Sequence, residues 1–381
     1  MKSAHDSLRL IADRLADERA AAHSIVATLR ASLETSWDRP LPEAWRTLGF
    51  VQELTTAATE VLEQDPAQSR ALAQFALAVG TAVPRADYPA ITVVQLEGQA
   101  WKTLGTAHRY LSAHDAALRA YDAARRCFAQ FGALADEHAA VDLAIAVVFS
   151  EIGKFDEALQ LIAKAADVFA SFSDEQHAIQ GALLKAMIHH RRGDLRLARS
   201  AYEYALRSAQ HRDDLHTLAA IHNNLGHLLA ELNETSAAAD SLARARDLFA
   251  GLEMPIEVSR TEGGLARLLL NNREYERAIA LLQPARRHFL SLGMIEEAGV
   301  AALDIVDALV AMNDRAAAQQ LTETVLAEFR AARLDRAIVA VAYLQDLLRE
   351  HPAPSASIHH VRSYVEQLRS DPARVFLPLP E

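Results

Sequence analysis

The apolar positions of this chain recur on two scales. On the short scale they line one side of a helix. Residues 4 to 34 place Leu8, Ile11, Leu15, Ile25, Val26, Leu29 and Leu33 broadly on one face, which predicts an amphipathic helix. On the long scale a turn-and-alanine segment returns every 40 residues. Gly153-Lys154-Phe155-Asp156-Glu157-Ala158 comes back as Gly193 to Ala198, Asn233 to Ala238, Arg273 to Ala278 and Asn313 to Ala318; one step of 41 backwards reaches Ser112 to Ala117. The aligned small residues are Ala117, Ala158, Ala198, Ala238, Ala278 and Ala318. A second ladder keeps the same register: Phe128, Phe169, then Ala209 in place of an aromatic, then Phe249, Phe289 and Phe329.

Two ladders in one register predict a structural unit repeated along the chain. Each unit reads as two helices joined by a tight turn. Gly or Asn at the turn tolerates the left-handed backbone that ends a helix. The alanine lets the two helices approach closely, and the phenylalanine near the end of the second fills space against the next hairpin. One hairpin cannot bury both of its faces, so neighbours must stack.

The ends depart from this period. Residues 43 to 82 predict a divergent hairpin, opened by Trp45, Leu48 and Gly49 and turned at Asp65-Pro66, with Pro66 at the start of its second helix. The stretch Thr35 to Pro42 is the expected break after the N-terminal helix, which either caps the array or forms an arm for a partner; capping is the usual fate. Ile338 to Glu350 and Ser357 to Leu368 predict a last hairpin around His351-Pro352-Ala353-Pro354. The tail Val375 to Glu381 is apolar and Pro-rich, hence extended. Packing on the last hairpin is its favoured fate, and lying in a groove as an internal ligand is the alternative. The expected segments are 1–42 (helix and linker), 43–90 (divergent hairpin), 91–337 (six repeats) and 338–381 (C-terminal cap and tail).

Composition agrees with long helices: about half of the residues are apolar, and Gly and Pro are scarce. A formal net charge of −11 argues against nucleic acid as a direct partner, because phosphate backbones need clustered Lys and Arg. The single cysteine, Cys127, excludes an intrachain disulfide and suits a reducing compartment. No apolar run reaches the length of a membrane span or a signal peptide, so the expected location is the cytoplasm, with no membrane contact.

With these positions in hand, a family resemblance emerges. Trp101-Lys102-Thr103-Leu104-Gly105 resembles the W-x-x-L-G opening of tetratricopeptide repeats, with Ala117 and Ala124 at the motif's small positions. Ile221-His222-Asn223-Asn224-Leu225-Gly226 is similar to the N-L-G variant of longer repeats of the kinesin-light-chain kind. The 40-residue period also resembles ligand-sensing helical regions of bacterial regulators. The resemblance covers roughly residues 91 to 350 and implies an all-α solenoid of about seven to eight hairpins in a right-handed superhelix. Some repeats depart from the motif: the third has Ala182 and Ala186 where Trp and Gly would sit, and the sixth has Val325 for the second Ala.

Candidate chemistry is thin. The chain has no Gly-rich phosphate loop, no nucleophile elbow, no His-Glu-x-x-His and no cysteine pair, so neither enzyme activity nor a cofactor is expected. His222 and His227 are five apart and face different ways on a helix, and His189-His190 and His359-His360 diverge as neighbours, so no metal site is expected. Arg125 and Arg126 precede Cys127 and would activate it, but a small packing residue is the commoner role.

In tetratricopeptide arrays the first helix of each hairpin lines the groove. The resemblance therefore implies a peptide-binding groove of Gln99, Lys102, Thr106 and Arg109; His190 and Arg191; Asn223, Asn224 and His227; and Arg260, Arg267 and Asn271. Asp304 and Asp307 would line its acidic end. The middle of this groove is basic and amide-rich in an acidic protein. Asn pairs with both groups of a peptide bond and Arg clamps a carboxylate, so the expected partner is a protein or peptide segment bearing acidic or carboxylate groups. The competing reading is a solvated polar face with no ligand. The expected function is a non-catalytic scaffold or adaptor. The alternative is a sensor whose small ligand or peptide alters the array and, through it, a partner. The oligomeric state is left open.

Overall fold

A computed structural model describes residues 2–32, 40–210, 212, 214–350, 355–368 and 374–379. The expected break at Thr35 to Pro42 falls largely outside them, as do the turn His351-Pro352-Ala353-Pro354, His211 and Glu381; the side chains of Leu8 and Leu33 also lie outside the described residues. The described residues form seventeen α-helices and no strand. By their contacts they make two compact units, Met1–Ile188 and His189–Glu381.

The first unit contains α1 (Lys2–Ser32), α2 (Leu48–Val61), α3 (Pro66–Ala82), α4 (Ala90–Tyr110), α5 (His114–Phe128), α6 (Ala135–Glu151), α7 (Phe155–Phe172) and the start of α8 (Glu175–Arg192). Thr47 and Asp65 cap α2 and α3, accepting from the amides of Phe50 and Gln68. Helix α1 lies on α2, burying Ala22, Val26 and Leu29. Its Glu18 carboxylate accepts from the Gly49 amide at 3.0 Å and from the Tyr88 hydroxyl at 2.7 Å. Arg19 and His23 both reach Glu53 on α2. Here α1 closes the apolar end of the α2–α3 hairpin.

The second unit runs through α9 (Leu195–Ala209), α10 (Leu215–Glu231), α11 (Thr235–Gly251), α12 (Pro255–Asn271), α13 (Tyr275–Ser291), α14 (Ile295–Ala311), α15 (Arg315–Ala331), α16 (Asp335–Glu350) and α17 (Ser355–Leu368). The aligned alanines are fully buried in both units, and every member of the phenylalanine ladder, Ala209 included, is at most 4% exposed. Each phenylalanine packs two ways. Phe249, for example, meets Ala219 of α10 in its own hairpin and Met254 and Val258 of the next. The motif glycines are explained by the same packing. A Cβ on Gly105 would come 2.6 Å from the Tyr121 ring, and one on Gly226 would come 2.6 Å from Leu242 Cγ, both sixteen residues on. Only a bare backbone admits the second helix at that distance.

The turns share one geometry. Ser112, Gly153, Gly193, Asn233, Arg273 and Asn313 all adopt positive φ, so the left-handed position is imposed even on Ser and Arg. In each case the next amide bonds back to the carbonyl five residues earlier, as in Glu274 N to Leu269 O at 2.8 Å, which satisfies the orphan carbonyls of the helix end.

The last helix breaks the pattern. α17 lies back on α14, with Ile358, Val361, Tyr364 and Val365 buried in a cluster that also holds Val306, Phe329 and Leu344. The tail packs on α16 and α17. Phe376 sits among the rings of Tyr343, His360 and Tyr364, and the Arg374 carbonyl accepts from Tyr364 and Arg336.

Candidate functional site

The expected groove residues fall into two sets, one in each unit. In the first unit, Gln99, Lys102 and Thr106 on α4 line a recess of about 360 Å³ with Thr55, Thr56 and Thr59 of α2 and Glu137 of α6. Gln99 donates to Glu137 at 3.1 Å. Thr106 donates to the Lys102 carbonyl and meets the Tyr121 hydroxyl at 3.1 Å. Lys102 has no ion-pair partner among the described residues. Arg109 stands apart, paired with Glu151 at 2.8 Å.

In the second unit, Asn223 and His227 of α10 meet Arg260 and Arg267 of α12 around a recess of about 230 Å³. Its apolar floor is Leu282, Ala285 and Phe289 of α13, with Val300 and Ala301 of α14. The other expected residues are not part of it. His190 pairs with Glu231 at 3.0 Å, Arg191 and Asn271 are exposed, and Asn224 does not line the recess.

The charge of this recess differs from the basic character expected. Glu257, Glu297, Asp304 and Glu366 also line it. Arg260 donates to Glu257 at 2.7 Å and reaches Glu297 at 3.4 Å. Among the described residues the guanidinium of Arg267 has one ion-pair contact, a long one of 3.8 Å to Asp304. The reason is geometric: a 40-residue period sets residues 257 and 297 at equivalent places on successive first helices, so an acidic pair brackets Arg260. Asn223 Oδ1 accepts from Thr261 at 3.2 Å. His227 makes no hydrogen bond among the described residues and rests where a Cβ on Gly264 would come 2.8 Å from its Cε1. Burial, then the charges of Arg267 and His190, push its imidazole down to about 3, so it lines the recess neutral.

Asp304 and Asp307 do not form an open acidic lining; both are buried. Asp304 holds Arg362 of α17 at 3.5 Å as well as Arg267, and burial raises its carboxyl above the usual range against the pull of both arginines. Asp307 accepts from Ser355 at 2.7 Å and from His359 at 3.1 Å. The pair anchors α17, which in turn brings Glu366 to the recess. Sequence reasoning missed Glu257, Gly263, Glu297 and Glu366. Shifting Asn223 and His227 by 40 would have found Gly263 beside Arg267; nothing periodic points to Glu366.

Cys127 is a buried packing residue. Burial, then the Glu97 carboxylate, push its thiol up to about 11 despite Arg126 and Arg85. Among the described residues, no cluster of three or more His, Cys, Asp or Glu would hold a metal, and no helix is long and apolar enough to cross a membrane.

The family model of the soluble NSF attachment protein, SNAP, matches residues 146–292, which is less than half of the chain. No curated protein matches the sequence. Solved structures are similar in fold at low identity. A Rap protein complexed with competence and sporulation factor shares 12% identity at TM-score 0.56, over 89% of this chain and 98% of that one. The STAND signal-transduction ATPase with a tetratricopeptide-repeat sensor from Pyrococcus horikoshii shares 12% at TM-score 0.59, over 94% of this chain and 53% of that one, so this chain spans about half of it. Aspartyl phosphate phosphatase F from Bacillus subtilis shares 10% at TM-score 0.55, over 91% and 99%. Repeated hairpins, their ladders and these likenesses together establish that the chain has the all-α tandem-hairpin fold of the tetratricopeptide-repeat proteins.

Proposed function

We propose that this protein is a non-catalytic interaction module, acting in the cytoplasm, that holds a carboxylate-bearing peptide segment of a partner against the first helices of its hairpins. The observation that carries this reading is the second-unit recess, where Asn223, His227 and Arg267 converge from two helices over an apolar floor. A few convergent polar groups above buried apolar side chains are what a specific ligand site requires. Gln99, Lys102 and Thr106 form a second, threonine-rich contact area in the first unit. The fold likeness to a Rap protein solved with competence and sporulation factor supports a binding role. A ligand-responsive regulator is the second reading. It is favoured by α17, which closes part of the recess with Glu366 and so suits a compact ligand.

The test is co-purification from the native cell extract, comparing wild type with Arg267→Glu and with Lys102→Glu. A partner held by wild type and lost by Arg267→Glu, with helicity unchanged, supports the reading. A partner held equally by all three refutes the site. A phosphatase is among the proteins of like fold, so turnover is measured as well. Hydrolysis of acetyl phosphate that disappears in His227→Ala would replace the binding role with a catalytic one.

A further inference from the structure

A second cavity of the second unit, about 360 Å³, opens between the end of α11, α12 and α13. It shares only Ser259 and Ala285 with the recess described above. Met254, Val258 and Ala285 form apolar walls, and Pro255 and Pro284 stand exposed at its rim. The Glu262 carboxylate inside it is half-buried, yet makes no hydrogen bond and no ion pair among the described residues. Burial raises its carboxyl above the usual range, and the charges of Arg246 and His288 offset this only in part. His288 is already engaged through Nδ1 with the Ser259 hydroxyl at 2.9 Å.

The repeat supplies its own comparison. Three steps of 40 back along the first helices, Glu262 falls on Asp142 of α6, a carboxylate only 1% exposed. Asp142 is met from the second helices on either side: Arg125 Nε of α5 stands 3.1 Å from it and Lys164 Nζ of α7 stands 4.0 Å away. His138 of its own helix lies at 3.7 Å. In the second unit the place of Arg125 is held by Arg246 of α11, but that guanidinium turns to Asp247 at 2.8 Å. The place of Lys164 is held by Pro284 of α13, which carries no charge, and that of His138 by Val258. The cavity spans from Pro284 to Glu262, the path that Lys164 takes to Asp142 in the first unit.

We propose that this cavity receives a lysine side chain of a partner protein. The ammonium pairs with Glu262, the aliphatic stem lies along Met254, Val258 and Pro284, and the partner's backbone stays outside at the exposed rim. A half-buried carboxylate left without a cation beside apolar walls selects a side chain that carries both a compact positive head and an apolar stem. Glu253, exposed at the mouth, adds a second negative charge and disfavours acidic residues next to that lysine. The site is separate from the peptide-holding recess, so either can fail without the other.

The probe is Nα-acetyl-lysine N-methylamide, titrated into the full chain while the carbon-13 methyl signal of Met254 is followed by NMR; that signal is identified by its loss in Met254→Leu. The expected result is a saturable shift with the probe and none with its Nε-acetylated form, which keeps the stem and loses the charge. Glu262→Gln should weaken binding about tenfold or more, since charge-assisted pairing is the anchor. Pro284→Ala should leave binding in place, whereas Pro284→Lys, which restores the cation of the repeat, should abolish it. Pro284→Ala controls for the loss of the proline itself. No saturable shift, equal affinity for the Nε-acetylated form, or unchanged affinity in Glu262→Gln each overturns the proposal. Binding by Pro284→Lys as tight as by Pro284→Ala overturns it too, because the cavity is then not the place of a lysine. A shift with n-pentylammonium but not with the capped lysine would give the site to a free amine and overturn the protein partner.

Discussion

Gly49 and Gly80 lie in neighbouring helices of the first unit, and replacing each with alanine is expected to change stability in opposite directions. A Cβ on Gly49 would come 2.8 Å from the Arg19 amide nitrogen and from the Glu18 carbonyl carbon, backbone atoms of α1 that cannot rotate away. Helix α1 must therefore withdraw. That withdrawal stretches the bond from the Gly49 amide to Glu18 at 3.0 Å and that from Tyr88 to Glu18 at 2.7 Å, and loosens Ala22, Val26 and Leu29. Overpacking costs about 1–3 kcal/mol and an unpaired buried amide about as much again. With partial relaxation, α1 docking is expected to weaken by about 2–4 kcal/mol. A Cβ on Gly80 meets only Val51 Cγ2, at 3.9 Å, so Gly80→Ala should gain about 0.5–1 kcal/mol from helix propensity. Because the chain has two units, a single melting midpoint would mix their transitions. Native-state hydrogen exchange of the α1 amides reads the docking equilibrium directly. Gly49→Ala should lower their protection about 30- to 1000-fold and Gly80→Ala should leave or raise it. Unchanged α1 protection in Gly49→Ala would refute the claim that bare backbone is what lets α1 seat.

Three further outcomes follow from single positions. Arg273 holds φ +64° at a hairpin turn, so Arg273→Gly should stabilise the second unit by about 0.5–1 kcal/mol in denaturant melts, and a loss would mean the Arg side chain matters more than its backbone. The Asp307 hydrogen bond, against burial, holds His359 above its usual range. A raised folded value means that the stabilisation is complete below about pH 6.5 and fades as the pH climbs through the folded value. Asp307→Asn should therefore reduce stability more at pH 6 than at pH 9; other histidines, among them His222 and His227, are pushed down and respond in the opposite sense, which makes the wild-type-minus-variant difference the quantity to follow. Cys127, with its thiol near 11, should resist iodoacetamide at pH 8 in the native chain and react on unfolding; rapid native labelling would contradict its burial.

Much of the fold was legible because contacts in a repeat array are local in the period. Ala278 and Phe289 do in their hairpin what Ala238 and Phe249 do 40 residues earlier, so a ladder in the sequence is a seam of the core. The turn was less legible from residue type. Ser112 and Arg273 occupy the left-handed position because the flanking helices fix it, not because their side chains favour it. The site was half legible. Asn223, His227, Arg260 and Arg267 could be placed on first helices from the motif register, and they do meet. Their electrostatic state could not be read there, since a face assignment says which side chains are neighbours but not which charges are already paired. Only the tertiary structure decided that Arg260 is held by Glu257 and Glu297 and that Asp304 and Asp307 are buried anchors. The contacts of α17 lie beyond any ladder: Arg362 meets Asp304 because an amphipathic helix with Ile358, Val361 and Val365 on one side turns back to cover the apolar flank of α14. The sequence shows that such a helix has a face to bury. Where it is buried depends on which apolar surface remains uncovered once the hairpins have stacked.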